Sequence, residues 1–117
     1  MNFKKISINE YNALKKLIDE YKNELYAYNS LIKKYGYYLK PYHVVTKYSG
    51  GKKIEYVYYG RYWYKLKYIC RRGNTSKIKW IYVGSEKPLP DLPDPPRNPL
   101  EGIVLKICDN CIYIKYK

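Results

Sequence analysis

The residues best suited to chemistry by type and spacing are Cys108 and Cys111, a CxxC pair near the C-terminus. Such a pair supplies half of a structural zinc site, which then needs two further ligands. Cys70 and His43 complete the chain's cysteines and histidines, so one Cys3His set can be assembled. A disulfide across a tight turn and plain thiols are the alternatives. We favour plain thiols and predict no metal ion.

Signals for catalysis are weaker still. His43 follows Pro41-Tyr42 at the start of an apolar run, which suits a packing residue, and no second histidine is available to activate a nucleophile. The acidic residues are sparse and scattered, which disfavours a carboxylate-held metal ion. Residues 49–52, SGGK, are too short for a phosphate-binding loop and fit a turn better. We therefore predict no enzymatic activity and no cofactor.

The most distinctive stretch is residues 60–84, GRYWYKLKYICRRGNTSKIKWIYVG, in which basic and aromatic residues alternate. Side chains of a strand point alternately to opposite faces, so each strand here has a basic face and an apolar face. We expect the apolar faces to receive a helix and the basic faces to form the outer surface, around an exposed Trp63. The predicted binding residues are Arg61, Trp63, Lys65, Lys67, Arg71, Arg72, Lys77 and Lys79.

The net charge of +13 is concentrated in this part of the chain. Residues 1–36 contribute +3, residues 37–83 contribute +10, and residues 84–117 contribute zero. Like charges on paired strands repel one another, so a basic sheet face suggests an anionic counter-surface such as a phosphate backbone. We expect a non-enzymatic nucleic-acid-binding protein that favours double-stranded DNA with low sequence specificity. A solvated outer face is the alternative.

The first segment has the pattern of a long helix. Ser7 and Glu10 fit a capping box, and Gly36 fits a left-handed stop. Between them, apolar residues recur every three or four positions, which indicates one continuous helical stripe. The stripe suits either the core face of a helix lying on a sheet or the seam of a coiled-coil homodimer. Its central members are Leu14, Ile18, Tyr21, Leu25, Tyr28 and Ile32.

The remaining chain alternates strand and turn signals. Strands are predicted at 42–48, 52–59, 61–71 and 77–83, with a hairpin turn at Ser49-Gly50-Gly51 and a bulge or bend at Gly60. The predicted fold class is α+β in a single compact domain. Its parts are a long N-terminal helix (1–36), a basic antiparallel β-meander (37–83), a Pro-rich connector (84–101) and a C-terminal β-hairpin (102–117).

In this layout, residues 42–83 resemble the basic sheets of several small DNA-binding families. One comprises the small chromatin proteins of thermophilic archaea, which lay a twisted, lysine-rich sheet with exposed aromatic residues across duplex DNA. The others are the arm-binding domains of tyrosine recombinases and AP2-like domains, which place a three-stranded sheet in the major groove. The resemblance implies a duplex binder that uses one sheet face, through Arg61, Trp63, Lys65, Lys67, Lys77 and Lys79.

Two other functions remain open at this level. One is a viral or mobile-element inhibitor that binds an acidic protein surface, and the other is a coiled-coil structural homo-oligomer. The abundance of lysine, isoleucine and tyrosine, with no glutamine, suggests a protein from a thermophile. We expect an archaeal or viral source. No apolar run approaches the ~20 residues of a membrane span, and the N-terminus lacks a signal-peptide pattern. We expect a cytoplasmic, nucleoid-associated protein without membrane partners.

Overall fold

The computed structural model describes the backbone of residues 3–72 and 75–116 and the side chains of residues 3–68 and 77–116. One long helix packs on an antiparallel sheet, which confirms the α+β prediction. In chain order the elements are β1 (Lys4–Ile6), α1 (Ile8–Ile32), β2 (Tyr37–Ser49), β3 (Lys52–Arg72), β4 (Thr75–Gly84), β5 (Ile103–Ile107) and β6 (Ile112–Tyr116).

Helix α1 begins and ends as its sequence predicts. The backbone N–H of Glu10 donates to Ser7 Oγ at 3.1 Å, and the backbone N–H of Ser7 donates to Glu10 Oε1 at 3.2 Å. A short 3-10 turn, Lys33–Tyr35, follows the helix. Gly36 then adopts φ 80°, a left-handed conformation that glycine adopts without strain, and its carbonyl accepts from Leu66 N–H at 2.8 Å.

The strand order of the sheet is β1-β6-β5-β3-β2, with β4 also paired to β3. Strand β2 pairs with residues 52–65 of β3. Strand β5 pairs with residues 55–58 of β3, and β4 pairs with residues 63–72, so these two share the opposite edge of β3. Strands β5 and β6 form the predicted C-terminal hairpin, and β1 is a strand that the sequence did not reveal.

Strand β3 is a single strand of 21 residues where two were predicted. It runs through Gly60, where the predicted irregularity occurs. Lys40 pairs with Tyr62 and Tyr42 with Tyr59, so two residues of β3, Gly60 and Arg61, lie opposite one residue of β2. Pro41 stands at this shift of pairing register on an edge strand, a position that tolerates its missing N–H. The side chain of Asn98 donates to the carbonyls of Pro41 at 3.0 Å and Gly60 at 3.2 Å, which ties the irregular site to the connector.

The apolar stripe of α1 is the core face of the helix. Its buried members are Ile18, Tyr21, Leu25, Tyr28 and Ile32, each 6% exposed or less, and Leu14 packs against them. They pack on the sheet within one chain. The stripe is therefore already occupied, and the coiled-coil interpretation of this face is wrong.

The Pro-rich segment after β4 packs on the body of the protein. Leu92 and Leu100 are each 2% exposed and belong to the same core as the helix stripe. The Tyr28 hydroxyl donates to the Pro93 carbonyl at 2.6 Å. These contacts fix the segment against α1, and its extended path brings the chain back to β3 as strand β5.

Candidate functional site

The helix lies on the face of the sheet that carries Trp63. Leu39 is paired with Trp63 across β2 and β3, and both side chains are fully buried. Tyr28 of the helix meets the Trp63 ring at a steep angle, with 6.2 Å between the ring centroids. The prediction that Trp63 is exposed at the centre of a basic outer surface is therefore wrong. Trp63 is a core residue and cannot contact a surface ligand.

The neighbours of Trp63 explain why this row of β3 can face the helix. Arg61 reaches the connector and forms an ion pair with Glu101, with 2.8 Å between Nε and Oε1 and both side chains almost half exposed. Lys65 pairs with Tyr37 just beyond the end of the helix and is exposed. Long basic side chains can reach water from positions beside a buried residue. Burial of Trp63 therefore removes the largest ring of the row from water without burying a charge.

The other predicted basic residues continue along this same face, beyond the end of α1. Lys67 pairs directly with Lys79, and both are exposed. Lys67 and Lys79 lie on the helix side of the paired strands β3 and β4. The prediction that they lie on the outer side is wrong. We call Lys65, Lys67 and Lys79 the inner basic row. Of the remaining predicted members, Lys77 is exposed next to this row, and the side chains of Arg71 and Arg72 lie outside the described residues.

The opposite side of the sheet, the outer face, carries a layer of aromatic rings. Tyr38 lies 4.9 Å from Trp80, Tyr64 lies 6.0 Å from Trp80 and 5.6 Å from Tyr82, and Tyr62 lies 6.2 Å from Tyr82, all between centroids. Trp80 is 44% exposed and Tyr82 is 54% exposed. The strand register places these rings on the outer face: Phe3, Tyr38, Tyr56, Tyr58, Tyr62, Tyr64, Tyr68, Trp80, Tyr82 and Tyr113.

Lysine ammonium groups lie over these rings. Lys40 Nζ is 4.7 Å from the centroid of Tyr64 and 5.1 Å from that of Trp80. A cation within about 6 Å of a ring centroid is attracted by the electrons of the ring face. A ligand on the ring of Tyr64 or Trp80 would therefore lie close to the positive charge of Lys40. The further contacts are Lys47 over Tyr56 at 5.4 Å, Lys106 over Tyr113 at 5.7 Å, and Lys106 and Lys115 over Phe3 at 6.0 and 5.6 Å.

The outer-facing positions that the structure describes carry no acidic side chain. Glu55 pairs with Thr46 on the helix side, and Glu101 contacts Arg61 there. The phenol of Tyr62 does not offset the lysine charges, because burial, with smaller effects from neighbouring phenols, raises its pKa. The outer face is thus aromatic and positively charged. It can stack flat apolar groups and bind anionic groups at the same time.

The residues of the alternative Cys3His set are not brought together in the part of the chain that the structure describes. His43 lies on the outer face, 5.8 Å from the ring of Tyr62. Cys108 and Cys111 flank the β5–β6 turn as free thiols, where the Cys108 N–H donates to the Cys111 carbonyl at 2.9 Å. The Cys70 side chain lies outside the described residues. No cluster of three potential ligands occurs in the described part of the chain.

The outer aromatic layer is the feature that sequence reasoning assigned to the wrong side. The sequence shows the alternating row in β3 but predicts it as the core face, because the row holds no charge. The useful signal was its composition, since 18 of the chain's residues are tyrosine and only one is phenylalanine. Tyrosine tolerates water at its hydroxyl end, so a row of tyrosines suits a surface better than a core.

No protein-family model matches this chain, and neither the curated proteins nor the solved structures include one significantly similar to it. Within the residues described, no helix combines the length and the apolar character needed to cross a bilayer.

Proposed function

We propose that this protein binds single-stranded nucleic acid, RNA or DNA, on the outer face of its sheet. The observation that carries the proposal is the layer of exposed rings with lysines interspersed and no acidic side chain among the described outer positions. Proteins that bind single strands combine aromatic stacking platforms with positive charge along the backbone path. Both components are present here on one surface.

The preference for unpaired bases follows from which rings are accessible. Stacking needs the flat face of a base, and in a duplex those faces are covered by neighbouring base pairs. Trp63, which the sequence predicts at the exposed centre of the duplex-binding face, is buried. The exposed rings of Tyr68, Trp80 and Tyr82 instead form a broad surface, on which stacking contributes about 1–3 kcal/mol per base. The geometry therefore favours a single strand over the duplex expected from the sequence.

The dimensions of the face suit a short oligonucleotide. The outer row of β3 from Tyr56 to Tyr68 spans roughly 40 Å at the usual rise of a strand. The whole molecule is 46 Å along its longest axis. A strand laid along β3 would therefore cross most of the protein, and oligonucleotides of about 16 nucleotides are suitable probes, at the upper end of the site sizes of single-strand-binding domains.

The test is a titration of a labelled single strand, the matching DNA duplex and the matching RNA duplex, followed by fluorescence anisotropy. We expect the single strand to bind most tightly. Tyr64→Ala should weaken the binding of the single strand about tenfold. Tyr48→Ala is the matched control, because Tyr48 is 74% exposed and its register places it on the helix side. Equal loss in both variants, or tighter binding of a duplex, would contradict the proposal. Absence of nucleic-acid binding at low salt would favour an acidic protein partner.

A further inference from the structure

A cavity of about 620 Å³ opens where the middle of α1 meets the edge strand β2. It lies beside the register shift at Pro41, where β2 departs from regular pairing with β3. Ligand pockets in proteins commonly have volumes of about 300–1,000 Å³. The cavity is large enough for a small ligand and is separate from the inner basic row.

The walls of the cavity are held in place by specific contacts. The side chain of Asn29 accepts from the Leu39 N–H and donates to the Leu39 carbonyl, both at 2.9 Å, so the helix is fastened to β2 at this point. Across the opening, Tyr38 and Trp80 meet edge to face at 4.9 Å between centroids. A ligand would therefore enter a preformed site, which lowers the entropic cost of binding.

The lining combines aromatic rings with positive charge. Lys22 Nζ lies 4.8 Å from the centroid of Tyr42, and Lys40 Nζ lies 5.1 Å from that of Trp80, so both ammonium groups are positioned at the cavity wall. Tyr26 lines it from the helix and is 75% exposed. None of the lining residues, all of which are described, is acidic. The site suits a planar aromatic group that carries a negative charge.

The cavity is also continuous with the outer face. Tyr38, Lys40 and Trp80 line the cavity and belong to the ring layer as well. A strand that follows the outer face towards the β2 edge therefore reaches the cavity without crossing an acidic side chain of the described residues. Lys22 and Tyr26, by contrast, lie on α1 and are not part of the outer ring layer.

We infer that this cavity binds a single phosphorylated nucleotide, with the base against the rings of Tyr26, Tyr38 and Trp80 and the phosphate between Lys22 and Lys40. The inference rests on the proposed function, which it deepens by naming a site for one nucleotide unit. The unit is either the 5′-phosphorylated end of the bound strand or a free nucleotide, since the two share the same chemistry. The experiment below separates them.

The test is a titration with adenosine 5′-monophosphate, monitored by tryptophan fluorescence, in which Trp80 is the accessible ring because Trp63 is buried. We expect Lys22→Glu to weaken the binding of adenosine monophosphate at least tenfold and to leave the binding of adenosine nearly unchanged. Lys16→Glu, a charge reversal at an exposed position of α1 outside the cavity, should change binding less than twofold. Tyr26→Ala should weaken the binding of adenosine and of adenosine monophosphate alike, because the substitution removes a ring from the cavity wall.

Oligonucleotides identify the source of the nucleotide. If a 5′-phosphorylated single strand competes with adenosine monophosphate and an unphosphorylated strand does not, the strand end occupies the cavity. If strand and nucleotide bind together, the ligand is a free nucleotide. No binding of the monophosphate, or binding unchanged by Lys22→Glu, overturns the inference. If adenosine monophosphate does not bind but a single strand binds normally, the proposed function stands. If neither the monophosphate nor a single strand binds, the cavity site and the proposed function are both refuted.

Discussion

Leu39 and Trp63 face each other across β2 and β3, and neither side chain has any exposed surface. This pair determines which side of the sheet is the core. Because residues alternate along a strand, burial of Trp63 places Tyr62 and Tyr64 on the outer face. The surface that we propose for binding is therefore the tyrosine row of β3, and the basic row lies on the helix side.

The two tryptophans should respond to substitution in opposite ways. Trp63→Ala should destabilise the fold by about 3–5 kcal/mol, because it leaves a cavity in the core. Trp80→Ala should cost little stability, since Trp80 is 44% exposed, and should weaken single-strand binding about tenfold. Urea unfolding and anisotropy titrations on both variants check this. A stable Trp63→Ala protein with impaired binding would show that the face assignment is wrong.

Asn29 should be a major determinant of stability. Its side chain makes two hydrogen bonds to the backbone of Leu39 and is buried, so Asn29→Ala leaves a donor and an acceptor unpaired. The expected loss is about 2–4 kcal/mol, measured by denaturant unfolding. Asn23→Ala, at an exposed position of the same helix, should change stability by less than about 0.5 kcal/mol. Equal effects would mean that the α1–β2 contact does not depend on this residue.

The buried phenol of Tyr21 and the partly buried phenol of Tyr59 should make the protein sensitive to alkali. Burial raises the pKa of Tyr21 and Tyr59 from 10.0 to about 12, with Glu101 as the second contribution at Tyr21. The folded state thus favours the neutral phenol, so this stability is complete below pH 10 and is lost as the pH rises from about 10 towards 12. Unfolding free energies measured across that range should fall in the wild type. The unfolding free energy of the Tyr21→Phe/Tyr59→Phe variant should fall less over this range, and that of a Tyr26→Phe control should fall as in the wild type.

Tyr21→Phe should also stabilise the protein at neutral pH. The Tyr21 hydroxyl is buried and has no hydrogen-bond partner among the residues described. Removing an unsatisfied buried hydroxyl while keeping the ring should raise the free energy of unfolding by about 1–2 kcal/mol. The same denaturant experiment gives the answer. A destabilised variant would indicate that the hydroxyl has a partner, such as an ordered water molecule.

Binding should weaken with salt according to the number of outer lysines engaged. If Lys40, Lys47, Lys106 and Lys115 each neutralise one phosphate of a single strand, the slope of log K against log salt should be about −3. Lys106→Gln should reduce the magnitude of that slope by about 0.7, because one ion pair is lost. Lys16→Gln, on the exposed surface of α1, should not change it. A slope that depends equally on both would indicate nonspecific attraction to the whole charged protein.

The local features of the fold could be predicted from the sequence because short-range chemistry determines them. The capping box of Ser7 and Glu10, the stop at Gly36 and the hairpin turn at Gly50-Gly51, with φ of 58° and 77°, all occur as expected. Each depends on contacts within a few residues. Strand β1 could not be foreseen, because its three residues depend on pairing with β6 at the other end of the chain and on burial of Ile6 among distant core residues.

The site was predicted less well, for a physical reason. Alternation in β3 defines two faces but does not say which one the helix covers. That choice depends on α1, on β2 and on the packed connector, all distant in sequence from Trp63. A row with one tryptophan between long basic side chains can be buried, since Arg61 and Lys65 extend to water. A row composed mainly of tyrosine can be exposed, since each ring has a polar end.

The most direct test compares the two faces of the sheet in one experiment. Single-strand affinity would be measured for Tyr64→Ala/Tyr82→Ala on the outer face and for Lys65→Glu/Lys67→Glu on the inner basic row. The account predicts a loss of at least about tenfold for the outer pair and a much smaller, salt-sensitive loss for the inner pair. A collapse of binding in the inner pair, with the outer pair unaffected, would contradict it and place the interface on the helix side of the sheet.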